Sequence, residues 1–86
     1  MGAHLDDTLF LGAHIEDANF SEAILKSSNF TRAFVRNCNF TDADLTGSNW
    51  RKVKIVETCI WKNVKADKPE NFTPDLWKEI QRQNAK

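Results

Sequence analysis

The chain has 86 residues, of which 41% are hydrophobic, and its twelve basic side chains are balanced by twelve acidic ones. A chain of this length forms one small domain, and its zero net charge argues against binding to nucleic acid. No apolar run approaches the roughly 18 residues of a membrane span, and no basic-then-apolar leader begins the sequence. We therefore expect a soluble, untargeted protein that neither binds nucleic acid nor enters a membrane.

A repeat of five residues runs through the first two thirds of the chain. From Leu5 to Ile60 every fifth residue is bulky and apolar, and a small residue stands two positions before nearly every one. Neither a helix nor a flat strand has this period, so the pattern is an internal repeat, which takes precedence over other interpretations. In steps of twenty the bulky residues form four columns, which we predict to be the inward core ladders: Leu5, Leu25 and Leu45; Phe10, Phe30 and Trp50; Ile15, Val35 and Ile55; Phe20, Phe40 and Ile60.

The columns indicate a chain that turns a corner every five residues and closes a square circuit in twenty, with circuits stacked at about 4.7–4.9 Å. The units at 18–22, 38–42 and 43–47 read as a small residue, Asn or Asp, Phe or Leu, and two further residues, polar in most units. This unit resembles the pentapeptide-repeat family over about residues 3–62. The resemblance implies an all-β solenoid, a right-handed quadrilateral β-helix of about three coils.

The first circuit predicts an uncovered edge. The repeat is already in phase at Ala3, so only Met1 and Gly2 are left to cover the four bulky residues of the first circuit, Leu5, Phe10, Ile15 and Phe20. A terminal circuit exposes apolar side chains and unpaired strand edges. Three explanations stay open: the chain is part of a longer repeat protein, two copies meet end to end as a homodimer, or the edge is tolerated.

Most outward positions of the repeat are polar, and the exceptions indicate where a partner would bind. An exposed aromatic side chain beside aliphatic and basic groups is typical of a protein-contact site. We predict a candidate partner patch that contains Phe34, Val56, Lys54, Leu9 and Leu11.

The two cysteines fall on adjacent circuits. Cys38 occupies the small inward position of its unit, whereas the five-residue count places Cys59 at the next, outward position. Side chains on opposite sides of the wall do not meet the geometry of a disulfide, so we predict two unlinked thiols.

The period fails after Lys62, and the chain divides into a repeat at 1–62, a connecting loop at 63–72 and a capping helix at 73–86. Thr73 is the predicted N-cap, with Pro74 at the first helical position. An apolar stripe on the helix suits the last circuit, with Trp61 tucked beneath it. The predicted cap residues are Phe72, Thr73, Leu76, Trp77 and Ile80.

The sequence offers no catalytic, cofactor-binding or metal-binding group. His4 and His14 fall on opposite sides of the square, and no glycine-rich phosphate loop is present. We therefore predict a non-enzymatic interaction or scaffold module with an unidentified protein partner.

The alternative is a role that the family resemblance suggests, a DNA mimic that inhibits or protects a topoisomerase. Zero net charge and a rod of only about 15 Å disfavour it. The helix-capped repeat also resembles small pentapeptide-repeat proteins of cyanobacteria and chloroplasts. The compartment stays open between the cytoplasm and, after removal of a signal peptide, the thylakoid lumen.

Overall fold

The computed structural model describes residues 4–5, 7–55 and 59–85. Its strands are short and parallel: β1 (His14–Glu16), β2 (Phe34–Arg36) and β3 (Lys54–Ile55) form one sheet in the order β1-β2-β3. A 3₁₀ helix (Pro69–Asn71) and one α-helix, α1 (Pro74–Asn84), follow. Ile15 pairs with Val35, and Val35 pairs with Ile55, so each strand lies twenty residues after its neighbour.

The same step of twenty recurs in three other stretches of the chain. Single parallel bridges join His4 to Ile24 and Ile24 to Asp44, Leu9 to Asn29 and Asn29 to Asn49, and Asn19 to Asn39. Because four separate stretches keep one offset, each circuit of the chain lies directly beside the previous one. Backbone groups that a five-residue stretch cannot satisfy alone are thus paired with the next circuit.

Left-handed backbone conformations make the corners. From residue 7 to residue 52 every fifth residue has a positive φ, and Asn63 has one after the extra residue. Most of these residues are not glycine: Asp7, Gly12, Asp17, Glu22, Ser27, Arg32, Asn37, Asp42, Gly47, Lys52 and Asn63. Asn or Asp side chains support several corners, since Asn29, Asn39 and Asp44 each accept a hydrogen bond from the backbone N–H two residues on, at 3.0 Å. Such local bonds favour a turn over a longer strand.

The three strands of the sheet lack an Asn or Asp at the position that accepts this hydrogen bond. His14, Phe34 and Lys54 stand where Asn or Asp stands in most other units. With no side-chain acceptor to draw the chain into a turn, β1 and β2 continue for three residues each. The side that carries the sheet is therefore the flattest and most strand-like part of the repeat.

The core consists of inward residues stacked on their own kind. Phe30 lies 4.4 Å from Phe10 and 3.9 Å from Trp50 between ring centroids, in near-parallel stacks. The fully buried members begin in the second circuit: Leu25, Phe30, Val35, Phe40, Leu45 and Trp50. The first-circuit members Leu5, Phe10, Ile15 and Phe20 are only partly buried. Burial of each large side chain contributes roughly 1.5–3 kcal/mol.

The predicted position of Ile60 in the core is wrong. Ile60 is 41% exposed, whereas Trp61 is fully buried and stacks on Phe40 at 4.5 Å. The reason is one extra residue in the third circuit: Val35 pairs with Ile55 at a step of twenty, but Asn39 pairs with Ile60 at a step of twenty-one. The same shift makes the predicted outward position of Cys59 wrong, since Cys59 is buried.

The segment predicted as a loop at 63–72 includes paired backbone. Lys65 bridges to Asp44, and Phe72 bridges to Trp50 after the 3₁₀ helix. Val64 and Ala66 pack against the core. The repeat therefore extends past Lys62 for part of a further circuit.

Helix α1 covers the last circuit. The Thr73 side chain accepts a hydrogen bond from the Leu76 N–H at 3.2 Å, and Pro74 opens the helix. Leu76 and Ile80 are buried, and the Phe72 ring lies 5.3 Å from that of Trp77.

Two amides at the end of α1 bind the strand edge. Gln83 Oε1 accepts from the Trp61 N–H at 2.6 Å, and its Nε2 donates to the Cys59 carbonyl at 3.0 Å. Asn84 makes the same pair of bonds with the Asn63 N–H and the Trp61 carbonyl, at 2.6 and 2.9 Å. These side chains supply the bonds that another circuit would otherwise make, which shields the edge from pairing with other chains.

Candidate interaction surface

The flat side of the repeat presents one continuous row of outward side chains. Side chains alternate along a strand, so with Ile15 and Val35 directed inward, their neighbours point outward. We call this surface the sheet face and define it by the outward side chains of β1, β2 and β3: His14, Glu16, Phe34, Arg36 and Lys54.

An aromatic pair occupies the centre of the sheet face. The His14 and Phe34 rings stack with centroids 5.0 Å apart and planes 15° apart, and Phe34 pairs with Lys54 in the strand register. Phe34 is half-buried, whereas His14 and Lys54 are exposed. The face thus offers an apolar ring, held in place by a neighbour, next to an exposed ammonium group.

A charged pair lies beside the aromatic one. Arg36 Nη1 is 3.6 Å from Glu16 Oε1, and about half of each side chain is exposed. Exposed pairs of this kind contribute about 0–1 kcal/mol to stability. The pair therefore matters less for stability than for the surface it forms, because it places a positive and a negative charge next to Phe34.

The predicted patch is only partly one surface. Phe34 and Lys54 are neighbours on the sheet face, while Val56 lies outside the described residues. Leu9 pairs with Asn29 on the side that precedes the sheet face. Leu9 and Leu11 are the most exposed large apolar side chains of the described residues, at 71% and 57%. They form a second apolar region, in the first circuit.

Glu16 and Arg36 were missed as members of the site. The predicted patch was defined by apolar outward residues, and both of these residues are charged. A signal was present, since the same step of twenty that relates His14 to Phe34 relates Glu16 to Arg36. Opposite charges one step apart on a flat strand predict a cross-strand pair.

A groove of about 520 Å³ lies between the last circuit and α1. Glu79 lines this groove on the side of α1. Hydrogen bonds from Arg82 and Gln83 lower the pKa of Glu79 to about 2. The buried Trp61 Nε1 has no acceptor among the described residues. The residues that line the groove are Val53, Lys54, Trp61, Thr73, Asp75, Leu76 and Glu79.

In the ranges 4–5, 7–55 and 59–85, no three His, Cys, Asp or Glu side chains lie together in a way that would hold a metal ion. Helix α1 has eleven residues, and no helix in that part of the chain has the length and apolar character to cross a bilayer.

The comparisons with known proteins give one finding. The sequence model of the family described as Pentapeptide repeats matches residues 1–37, with eight copies of the repeat. The predicted resemblance is thereby confirmed. A comparison with curated proteins gives no match.

Proposed function

Because this chain carries the repeats of the pentapeptide-repeat family, we propose that it is a non-enzymatic module that binds a protein partner and serves as a scaffold for it. In this proposal the circuits form a right-handed, four-sided β-helix of about three coils, which α1 closes at one end. The observation that carries the proposal is the sheet face, where an aromatic ring stands between an imidazole and an ammonium group on a flat strand surface.

The chemistry of the sheet face suits a protein partner. Aromatic side chains next to cationic ones dominate the binding energy of many protein interfaces. The stack on His14 restricts the Phe34 ring before a partner arrives, so little side-chain entropy is lost on binding. The Glu16–Arg36 pair places both signs of charge beside the ring, which suits a mixed protein surface better than a polyanion.

The test is capture of partners by the immobilised full chain from an extract of the cells that express it. The Phe34→Asn variant removes the ring but keeps a residue that outward positions 19, 29, 39 and 49 already carry. We expect at least about a tenfold loss of the captured partner, as for a dominant interface residue. Quantitative mass spectrometry of the retained proteins measures this loss.

The matched control is Ile24→Asn, which removes a half-buried, outward apolar side chain from a different side of the repeat. Capture by this variant should equal that of the unmodified chain. Circular dichroism of both variants checks that the fold is kept. Equal capture by the Phe34 and Ile24 variants would show that the sheet face is not the binding surface.

A further inference from the structure

The extra residue of the third circuit brings the two cysteines together. Asn39 pairs with Ile60, and the Ile60 N–H donates to the Cys38 carbonyl at 3.0 Å. In a parallel pair of strands the residues one position earlier also lie side by side. Cys38 precedes Asn39 and Cys59 precedes Ile60, so Cys59 lies directly beside Cys38 in the next circuit. Both are free thiols and both are buried, with 2% and 4% exposed.

The two side chains also point to the same side of the wall. Cys38 Sγ donates to the Arg36 carbonyl at 3.3 Å and to the Ile15 carbonyl at 3.6 Å, within the inward layer. Burial raises the pKa of the Cys59 thiol, although backbone hydrogen bonds from Cys38 and Asn37 oppose part of the rise. A buried thiol with a raised pKa is poorly suited to nucleophilic catalysis, which directs attention to a bond between the two cysteines.

The spacing of circuits lies within the range of Cα distances found for that bond. Neighbouring strands lie about 4.7–4.9 Å apart, and the Cα atoms of a disulfide lie about 4.4–6.8 Å apart. We propose that Cys38 and Cys59 are an intrachain disulfide site that links two consecutive circuits when the chain folds with an organic disulfide as the oxidant. This site is independent of the sheet face.

The reaction is a thiol–disulfide exchange in two steps. The thiolate of one cysteine attacks a sulfur of the oxidant, forms a mixed disulfide and releases one small thiol. The thiolate of the other cysteine then attacks the protein sulfur of the mixed disulfide and releases the second small thiol. Two protein S–H bonds are lost and one S–S bond is formed, and the two electrons and two protons reduce the oxidant to two thiols.

The link has a structural consequence. It closes a loop from Cys38 to Cys59, which contains the extra residue and the end of the sheet. A covalent bond there restricts the unfolded chain and excludes the alternative register in which Ile60 faces inward. The oxidised chain should therefore melt at a higher temperature than the reduced chain.

Refolding of the reduced full chain in a series of reduced and oxidised glutathione buffers tests the proposal. We expect a monomer lighter by about 2 Da, the mass of two hydrogens lost on thiol oxidation. Trypsin should release residues 37–51 joined to residues 55–62, because each peptide contains one cysteine. Refolding makes both thiols reachable by the oxidant, and the circular dichroism spectrum of the linked chain shows whether the bond is compatible with the fold.

Serine variants provide the matched controls. Ser28 and Ser48 are buried at the small inward position of other units, so Cys38→Ser and Cys59→Ser should fold and lose the joined peptide. Free thiols in the refolded chain at every glutathione ratio would overturn the proposal. So would a linked chain that lacks the circular dichroism spectrum of the reduced fold.

Discussion

Single residues with left-handed backbone conformations determine where the chain turns. An L-residue with a side chain pays roughly 1–2 kcal/mol for this conformation, whereas glycine does not. Gly12 adopts φ +63°, and a Cβ built there meets no atom within 4 Å. Any cost of a side chain at this corner therefore comes from the local backbone conformation and not from contact with other parts of the chain.

We predict that Gly12→Ala lowers the free energy of unfolding by about 1 kcal/mol. Gly12→Asn should cost less, because asparagine tolerates the left-handed region and Asn37 already occupies it at φ 54°. Urea denaturation of the two variants and the unmodified chain measures both values. Equal stability of all three proteins would contradict a conformational origin of the corner.

At the scale of elements, the stacked aromatic columns hold consecutive circuits in register. Phe40 stacks on Phe20 at 5.0 Å and on Trp61 at 4.5 Å, and it is fully buried. Phe20 belongs to the same column but is only partly buried. The two residues therefore form a matched pair that differs in burial.

We predict that Phe40→Ala costs about 3–5 kcal/mol, which approaches the whole stability of a domain of this size. Phe20→Ala should cost clearly less, since the first circuit retains water contact at that ring. Thermal unfolding followed by circular dichroism gives both values. A larger loss from Phe20 than from Phe40 would contradict the packing order inferred from burial.

The period of five predicted the columns as far as Trp50, because packing of like residues repeats at that step. It could not locate the extra residue, since Ile60 and Trp61 are both bulky and either would continue the pattern. Only the pairing with Asn39 and the stack on Phe40 distinguish them. The step of twenty placed Phe34 beside Lys54, but a search for apolar exceptions could not find the Glu16–Arg36 pair.

Side chains of α1 make the hydrogen bonds that a further strand would otherwise make with the last circuit. Gln83→Ala would leave the Trp61 N–H and the Cys59 carbonyl without their partner, and each unsatisfied buried group costs about 1–3 kcal/mol. We predict a loss of at least about 1 kcal/mol and faster hydrogen exchange at the Trp61 amide. Gln81→Ala, at an exposed position of α1, is the control and should change neither quantity. Unchanged exchange at Trp61 in the Gln83 variant would show that water replaces the amide without cost.

At the scale of the whole molecule, apolar exposure and negative charge coincide. Leu9 and Leu11 are exposed in the first circuit, and that circuit and the corner that follows it carry Asp7, Glu16, Asp17 and Glu22. Apolar side chains favour contact with a second copy, while the carboxylates of two copies repel each other. Because salt screens exposed charges over about 8–10 Å, the balance depends on ionic strength.

We predict that the full chain forms a dimer that dissociates on dilution and strengthens as salt is raised. Leu11→Asp should shift the chain to the monomer, because it removes apolar contact area and adds a like charge. The control Lys62→Asp changes charge at an exposed residue of the last circuit and should leave the dimer in place. Light scattering over a concentration series at low and high salt measures the mass. A monomer under all conditions would exclude self-association through Leu9 and Leu11 and would leave the sheet face as the surface for partners.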